Sequence, residues 1–197
     1  MEHTYYNKKD KVQSTQALTI AGVESTTDGA VEAQVQYVMQ DKKGEQTMDG
    51  DYTVTCKDGT YMVDASSMLP QQMMEGLGNM DVTIDGNEIV LPPDLSVGQE
   101  LPDAKTNIKA GSGGMTIMNM NVTIENRKVE AKETITTPAG TFECYKISSE
   151  ISSKVAFVNQ KFKSVDWFAK GVGMVRTETY DKKGKLEGYA LVTKLEK

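Results

Sequence analysis

Alternation of apolar and polar side chains is the feature that most constrains this chain. Val35, Tyr37 and Met39 fall on one side of an extended segment, while Gln34, Gln36 and Gln40 fall on the other. A period of two is typical of a β-strand that has one buried face and one face in water. The pattern therefore predicts an antiparallel sheet that covers a core on one side.

Short turn sequences separate further segments of the same kind. Residues 41–44 (DKKG), Asp85-Gly86, Asn126-Arg127 and residues 137–140 (TPAG) each predict a turn between two strands. Proline presets φ for the second position of a turn, and glycine adopts positive φ without strain. Roughly ten to twelve short strands follow from this spacing. The sequence predicts an all-β, antiparallel meander in a single domain that spans residues 1–197.

One short helix is predicted within the meander, near residues 67–77. Leu69, Met73 and Leu77 recur every four residues and form an apolar stripe along a helical face. Gly76 and Gly78 provide a stop signal. The helix is expected to cover the sheet.

Composition narrows the classes of partner. The net charge of −6 disfavours nucleic acid, which binds to basic patches. Mean hydropathy is −0.45 and the apolar runs are short, so no membrane-spanning segment is predicted. The first residues lack the features of an export signal. Because the chain opens on strand-like sequence, we expect an exported protein whose signal has been removed, located in the periplasm or at the outer membrane.

Catalytic and metal-binding patterns are weak. The single histidine is His3, near a terminus, and the two cysteines, Cys56 and Cys144, are far apart in sequence. No catalytic triad, zinc spacing or complete calcium loop can be drawn from these residues. We predict no catalytic residue, no metal site and no cofactor, and therefore no enzyme. Buried carboxylates in a cleft would reopen the enzymatic interpretation.

The two cysteines allow two interpretations. Both are expected to be small, buried and apolar in character, and Cys56 shares a predicted strand face with Tyr52 and Val54. The alternative is a disulfide that closes a loop of about 88 residues.

Methionine is unusually frequent, with twelve among 197 residues. Thioethers bind Cu(I), flexible methionines suit surfaces that accommodate apolar ligands, and methionine also fills irregular cores. These three interpretations remain open on the sequence alone. If an apolar groove exists, the candidate lining residues are Met68, Leu69, Met73, Met74, Leu77, Met118, Met120 and Trp167.

Three segments carry a resemblance to a known family. They are residues 93–103 (PDLSVGQELPD), 137–147 (TPAGTFECYKI) and 166–176 (DWFAKGVGMVR). In this order the chain resembles a family of uncharacterised cell-envelope proteins and lipoproteins of Bacteroides-type bacteria, labelled a domain of unknown function or TapB-like. The resemblance implies a curved half-barrel similar to the lipoprotein carriers LolA and LolB, with short segments over its concave face. It implies no catalytic residue.

Two functions follow from the residues and the resemblance together. The first is a non-enzymatic envelope protein that binds a lipid acyl chain or another apolar ligand in a groove. The second is a structural or interaction module of an envelope assembly, with other envelope proteins as partners and no small-molecule ligand. The loops at residues 92–102 and 111–114 would be the contact sites of the second.

Overall fold

The computed structural model of the protein describes residues 1–64, 80–155 and 158–196. The helix predicted near residues 67–77 lies outside these residues. So do five of the candidate groove residues, which are Met68, Leu69, Met73, Met74 and Leu77.

The described residues form thirteen β-strands and contain no helix. The strands are β1 (Glu2–Asn7), β2 (Val12–Ser25), β3 (Val31–Asp41), β4 (Gln46–Lys57), β5 (Thr60–Asp64), β6 (Asp81–Gly86), β7 (Glu88–Leu91), β8 (Ala104–Ser112), β9 (Met115–Thr137), β10 (Gly140–Val155), β11 (Val158–Ala169), β12 (Gly173–Tyr180) and β13 (Leu186–Lys194). The prediction of an all-β, antiparallel fold is confirmed.

All thirteen strands belong to one sheet, in the order β6-β8-β9-β10-β11-β12-β13-β1-β2-β3-β4-β5-β7. The ring of Tyr61 on β5 lies 5.6 Å from the ring of Phe168 on β11, although six strands separate them in the sheet. The sheet therefore curls into a nearly closed barrel. We call the side that carries Tyr61 and Phe168 the inner face and the opposite side the outer face.

The two edges of the sheet, β6 and β7, are consecutive in the chain. β6 pairs with β8 and β7 pairs with β5, with only Asn87 between them. The hairpin predicted at Asp85-Gly86 is therefore wrong, because the chain runs on from one sheet edge to the other. A side chain at Gly86 would meet the Lys105 carbonyl oxygen at 2.5 Å, so glycine is needed for close backbone approach.

Two side chains stabilise the place where the chain passes from β6 to β7. The Asn87 amide accepts a hydrogen bond from the Lys105 backbone N–H (2.6 Å) and donates one to the Asp103 carbonyl (2.8 Å). The buried guanidinium of Arg127 on β9 donates to the carbonyls of Val90 on β7 (3.1 Å) and Pro102 (2.6 Å). Side-chain bonds thus link β7 to the far edge of the sheet.

Arg127 reaches this position because of an irregularity in β9. Asn126 has a φ of 54°, and the pairing of β9 with β10 shifts register on both sides of Ser148. The turn predicted at Asn126-Arg127 is therefore wrong, since β9 continues through it as one long strand. A β-bulge of this kind bends a strand and redirects its side chains.

Turns predicted at residues 41–44 and 137–140 are confirmed. The first joins β3 to β4, with the Gly44 N–H donating to the Asp41 carbonyl (3.0 Å). The second joins β9 to β10.

An apolar cluster seals one end of the barrel. Leu91, Leu95, Leu101, Val129, Ile147 and Phe168 form its buried part. Leu95 and Leu101 belong to the segment 92–103, which crosses this end and hydrogen-bonds to β9 through Gly98, Gln99 and Leu101. The Lys170 ammonium also donates to the Pro93 carbonyl (3.0 Å). We call this cluster the floor of the barrel.

Replacing Arg127 with Met tests the role of the guanidinium in closing the barrel. We expect Arg127→Met to lower the free energy of unfolding by about 2–4 kcal/mol, because two carbonyls lose their partner in a buried environment. Urea denaturation measures the change. Lys128→Met, at the exposed neighbouring position on β9, is the control and should change stability by less than about 0.5 kcal/mol. Wild-type stability of Arg127→Met would contradict this role.

Candidate functional site

The inner face has an apolar wall on the strands that flank the closure. Pairing registers place the following residues on it: Val35, Met39, Met48, Tyr52, Val54, Val63, Ile108, Met118, Met120, Val122 and Ile124. Val35, Val63 and Ile108 are buried, whereas Met39, Met48, Tyr52, Met118 and Met120 remain half-buried. The alternation on β3 and β9 produces this wall, because every second side chain points inward.

The half-buried residues of this wall lie above the floor, towards the other end of the barrel. A cavity of about 370 Å³ against β6, β8 and β9 is lined mainly by outer-face residues, among them Asn107 and Asn121, and is separate from this wall. The barrel therefore combines a sealed end with an interior surface that the described residues leave partly uncovered.

The opposite part of the inner face is polar. Five residues from five neighbouring strands stand side by side in one row, in the order Asp166, Thr177, Ala190, Tyr5 and Ser14. Ala190 is the only apolar member. Ser149, Ser164 and Thr179 form the next row of the same wall. We call these two rows the polar wall.

Asp166 is the acidic member of the polar wall. One carboxylate oxygen accepts a hydrogen bond from the Thr177 hydroxyl (2.8 Å), and the other accepts one from the Ser164 hydroxyl (3.0 Å). Burial nevertheless raises the pKa of Asp166, although these hydroxyls and the charge of Arg127 act in the opposite direction. The site thus disfavours an isolated negative charge at this position.

Tyrosine hydroxyls add neutral polar groups to the interior. The Tyr5 hydroxyl donates to the Gln16 side-chain oxygen (2.8 Å). Burial raises the pKa of Tyr5, and it raises the pKa of Tyr61 to about 12. Both side chains are therefore neutral at physiological pH.

His3 occupies the inner face beside the polar wall. Its Nε2 donates to the Met174 carbonyl (2.8 Å), so the proton lies on Nε2 and Nδ1 carries a lone pair. His3 is only 7% exposed, and Nδ1 is the one buried side-chain polar atom without a partner among the described residues. Burial lowers the pKa of His3 below its usual value of 6.5.

Of the candidate groove residues that the structure describes, Met118 and Met120 lie on the inner face, opposite Ala110 and Ile108 of β8. Trp167 lies on the outer face, where its indole N–H bonds to Glu133. Lys146 and Arg176 each lie 5.2 Å from the Trp167 ring. No single groove therefore contains all three residues.

The indole belongs to a small apolar cluster on this outer face, made by Cys144, Trp167, Ala169 and Val175. Cys144 is buried there as predicted, whereas Cys56 is exposed, contrary to prediction, because the inner-face end of β4 is uncovered. Neither cysteine forms a disulfide.

Sequence reasoning missed Asp166, His3 and the polar wall. In the sequence, Asp166 stands out only as part of the segment 166–176, and His3 only as the single histidine near a terminus. The cross-strand row joins residues as distant as Tyr5 and Ala190, so no local pattern could reveal it. The one local signal is the alternation on β12, which places Thr177 and Thr179 on the same face of that strand.

Two other kinds of feature are absent from the part of the chain that the structure describes. Across residues 1–64, 80–155 and 158–196, no group of three or more His, Cys, Asp or Glu side chains is arranged to hold a metal ion. Within the same ranges, no helix has the length and apolar character required to cross a bilayer.

Comparisons with known proteins agree on the fold. The DUF3108-like family model matches residues 1–192. A crystal structure from Parabacteroides distasonis ATCC 8503, of a protein provisionally described as a lipoprotein, is 25% identical. It has a TM-score of 0.78 and covers 99% of this chain and 93% of its own.

A second crystal structure, from Bacteroides fragilis NCTC 9343, is of a protein provisionally described as exported, with a YmcC-like fold. It is 20% identical, has a TM-score of 0.77 and covers 100% of this chain and 94% of its own. At that identity the likeness concerns the fold alone. No curated protein matches the sequence.

Stability should depend on pH through His3. Its pKa is lowered in the folded state, so below about pH 6.5 the unfolded chain takes up a proton that the folded chain resists. The contribution of neutral His3 to the free energy of unfolding is therefore fully present above about pH 6.5 and is lost as the pH falls further. We expect the melting temperature of the wild type to fall more steeply between pH 8 and 5 than that of His3→Gln, which cannot titrate. Parallel curves in differential scanning calorimetry would contradict this.

Proposed function

The chain belongs to the DUF3108-like family, and from this premise we propose that it is a non-enzymatic protein of the cell envelope that binds an apolar ligand, such as a lipid acyl chain, against the inner face of its sheet. The ligand would lie along the apolar wall, above the floor. Both solved relatives are described provisionally as a lipoprotein or an exported protein, and their names support the envelope location.

One observation carries the proposal: apolar side chains inside the barrel remain half-buried while the floor below them is fully packed. Met39, Met48, Met118 and Met120 are of this kind. A purely structural barrel gains stability by burying such groups completely. The partial exposure of these side chains is explained if a bound ligand covers them.

The energy available is sufficient for useful affinity. Each buried methylene contributes about 0.8 kcal/mol. A chain of about ten methylenes therefore contributes roughly 8 kcal/mol before the cost of association is subtracted. The flexible thioethers of methionine adapt to the shape of such a chain. The resemblance to LolA and LolB, carriers that hold acyl chains on a concave face, points in the same direction.

A second candidate function rests on a different surface. At the start of β9, next to the turn that follows β8, Met115 and Ile117 are 73% and 64% exposed. Exposed apolar side chains of this size mark contact surfaces for other proteins. The segment 92–102 is less suitable, because Leu95 and Leu101 are buried in the floor. The interaction module would therefore use the β8–β9 turn.

The ligand-binding proposal is tested by placing a charge on the apolar wall. We expect Met120→Glu to abolish the fluorescence increase that N-phenyl-1-naphthylamine shows on entering an apolar site, because a carboxylate there must be desolvated. Asn121→Glu, the next residue and on the outer face, is the matched control and should bind the probe like the wild type. Unfolding of Met120→Glu by circular dichroism would assign Met120 to the core and contradict the proposal.

The interaction module predicts a different result. Ile117→Asp should abolish crosslinking of the purified protein to one identified envelope protein, while leaving probe binding unchanged. The control is Asn119→Asp, on the outer face of the same strand. Equal crosslinking of both variants to that partner would remove this candidate.

A further inference from the structure

Asp166 carries the one carboxylate in the two rows of the polar wall. Each Asp166 oxygen accepts one hydroxyl bond, from Thr177 or Ser164, and a carboxylate oxygen has room for a second. Asp166 as a whole residue is half-buried, and both of its carboxylate oxygens keep acceptor capacity. The side chain can therefore receive one more donor.

His3 provides a second acceptor on the same face. Its Nδ1 lone pair has no partner, in a side chain that is more than nine-tenths buried. Buried polar atoms are nearly always paired, so an unpaired acceptor indicates a place where a donor is missing. Because the His3 imidazole reaches the Met174 carbonyl on β12, the strand beside β11, the two acceptors lie on the same side of the interior.

Cationic side chains are scarce on this surface. Among the described residues of β1, β2 and β8 to β13, the registers place one lysine on the inner face: Lys132, opposite Tyr145 at the floor end, where its ammonium lies 3.5 Å from the Glu143 carboxylate. The Arg127 guanidinium is buried and donates to two carbonyls of the closure. At the far end of the row, Asp41 lies opposite Ser14, and its carboxylate accepts hydrogen bonds from the backbone N–H groups of Lys43 and Glu45 in its own turn. Beside the polar wall, an anionic head group would therefore meet the Asp166 carboxylate and no lysine.

From these three observations we infer that the ligand is an amphiphile whose polar group donates hydrogen bonds, a hydroxyl or an amine, and that Asp166 receives this group while the apolar tail lies on the methionine-bearing wall. This inference rests on the proposed function, since it names the ligand class for the same interior. A free fatty acid, with its carboxylate, is excluded from the preferred class.

A series of twelve-carbon amphiphiles tests the inference, because only the head group changes. Dodecylamine, dodecan-1-ol and dodecanoate are each titrated at pH 7.5 in 150 mM salt against the protein loaded with N-phenyl-1-naphthylamine. Since bonds to a charged acceptor are the strong ones, we expect dodecylamine to displace the probe at about tenfold lower concentration than dodecanoate, with dodecan-1-ol between them. Dodecanoate binding as tightly as dodecylamine would overturn the inference.

Two variants separate the site from general attraction of amines to a protein of net charge −6. Asp166→Asn should reduce the amine preference about tenfold and change dodecan-1-ol binding little, because the neutral amide keeps the shape of the carboxylate. Glu150→Gln removes an exposed carboxylate on the outer face and should leave the preference intact. An unchanged preference in Asp166→Asn would also overturn the inference.

The outcomes distinguish this inference from the proposed function. If neither the probe nor any of the three amphiphiles binds, the proposed function itself fails. If all three bind equally, the interior binds apolar chains and only the assigned head group is wrong. Asp166→Asn is expected to fold, because it removes a charge that burial disfavours. If that variant unfolds, the wild-type series is repeated in 1 M salt, which screens general attraction between exposed charges, and loss of the amine preference there would overturn the inference.

Discussion

The whole interior depends on the way the sheet is closed. A sheet of thirteen strands has two edges, and each edge exposes unpaired backbone groups. Here β6 and β7 make the two edges meet, because one nearly continuous extended segment pairs with β8 in its first half and with β5 in its second half. The Asn87 amide and the Arg127 guanidinium supply the bonds that a regular ladder would otherwise provide.

Closure explains why the barrel interior is divided into two chemically different walls. The strands beside the junction, β3 to β5 and β8 to β9, carry the methionines and β-branched residues. The strands far from it, β10 to β13 with β1 and β2, carry hydroxyls and the Asp166 carboxylate. The walls face each other only because the sheet curls. Without the closure, the same residues would lie on one side of a flat sheet and would not enclose a ligand.

Local patterns predicted the strands well, because period-two alternation depends only on neighbouring residues. They failed where a position depends on the rest of the fold. Asp85-Gly86 has the composition of a hairpin turn, yet Gly86 is required by the approach of the Lys105 carbonyl. Asn126-Arg127 has the composition of a turn, yet it forms a bulge that aims Arg127 at the junction.

In the candidate site, too, the sequence predicts the features that depend on neighbouring residues and misses those that depend on strand pairing. Met118 and Met120 alternate with asparagines, so their common face followed from the sequence. Trp167 could not be assigned to a face, because the outer side of the sheet also has an apolar cluster, in which it packs against Cys144. The polar wall joins strands from both ends of the chain, and only the pairing registers reveal it.

The place of β1 in this sheet has a consequence for how the protein is made. β1 lies between β2 and β13, so the first strand of the chain has the last strand as its neighbour. A chain that emerges from a ribosome or a translocation channel with its N-terminus first must keep one side of β1 unpaired until β13 appears. Contacts of such long sequence separation form slowly. Vectorial synthesis therefore yields an incomplete sheet until β13 has emerged and can pair with β1.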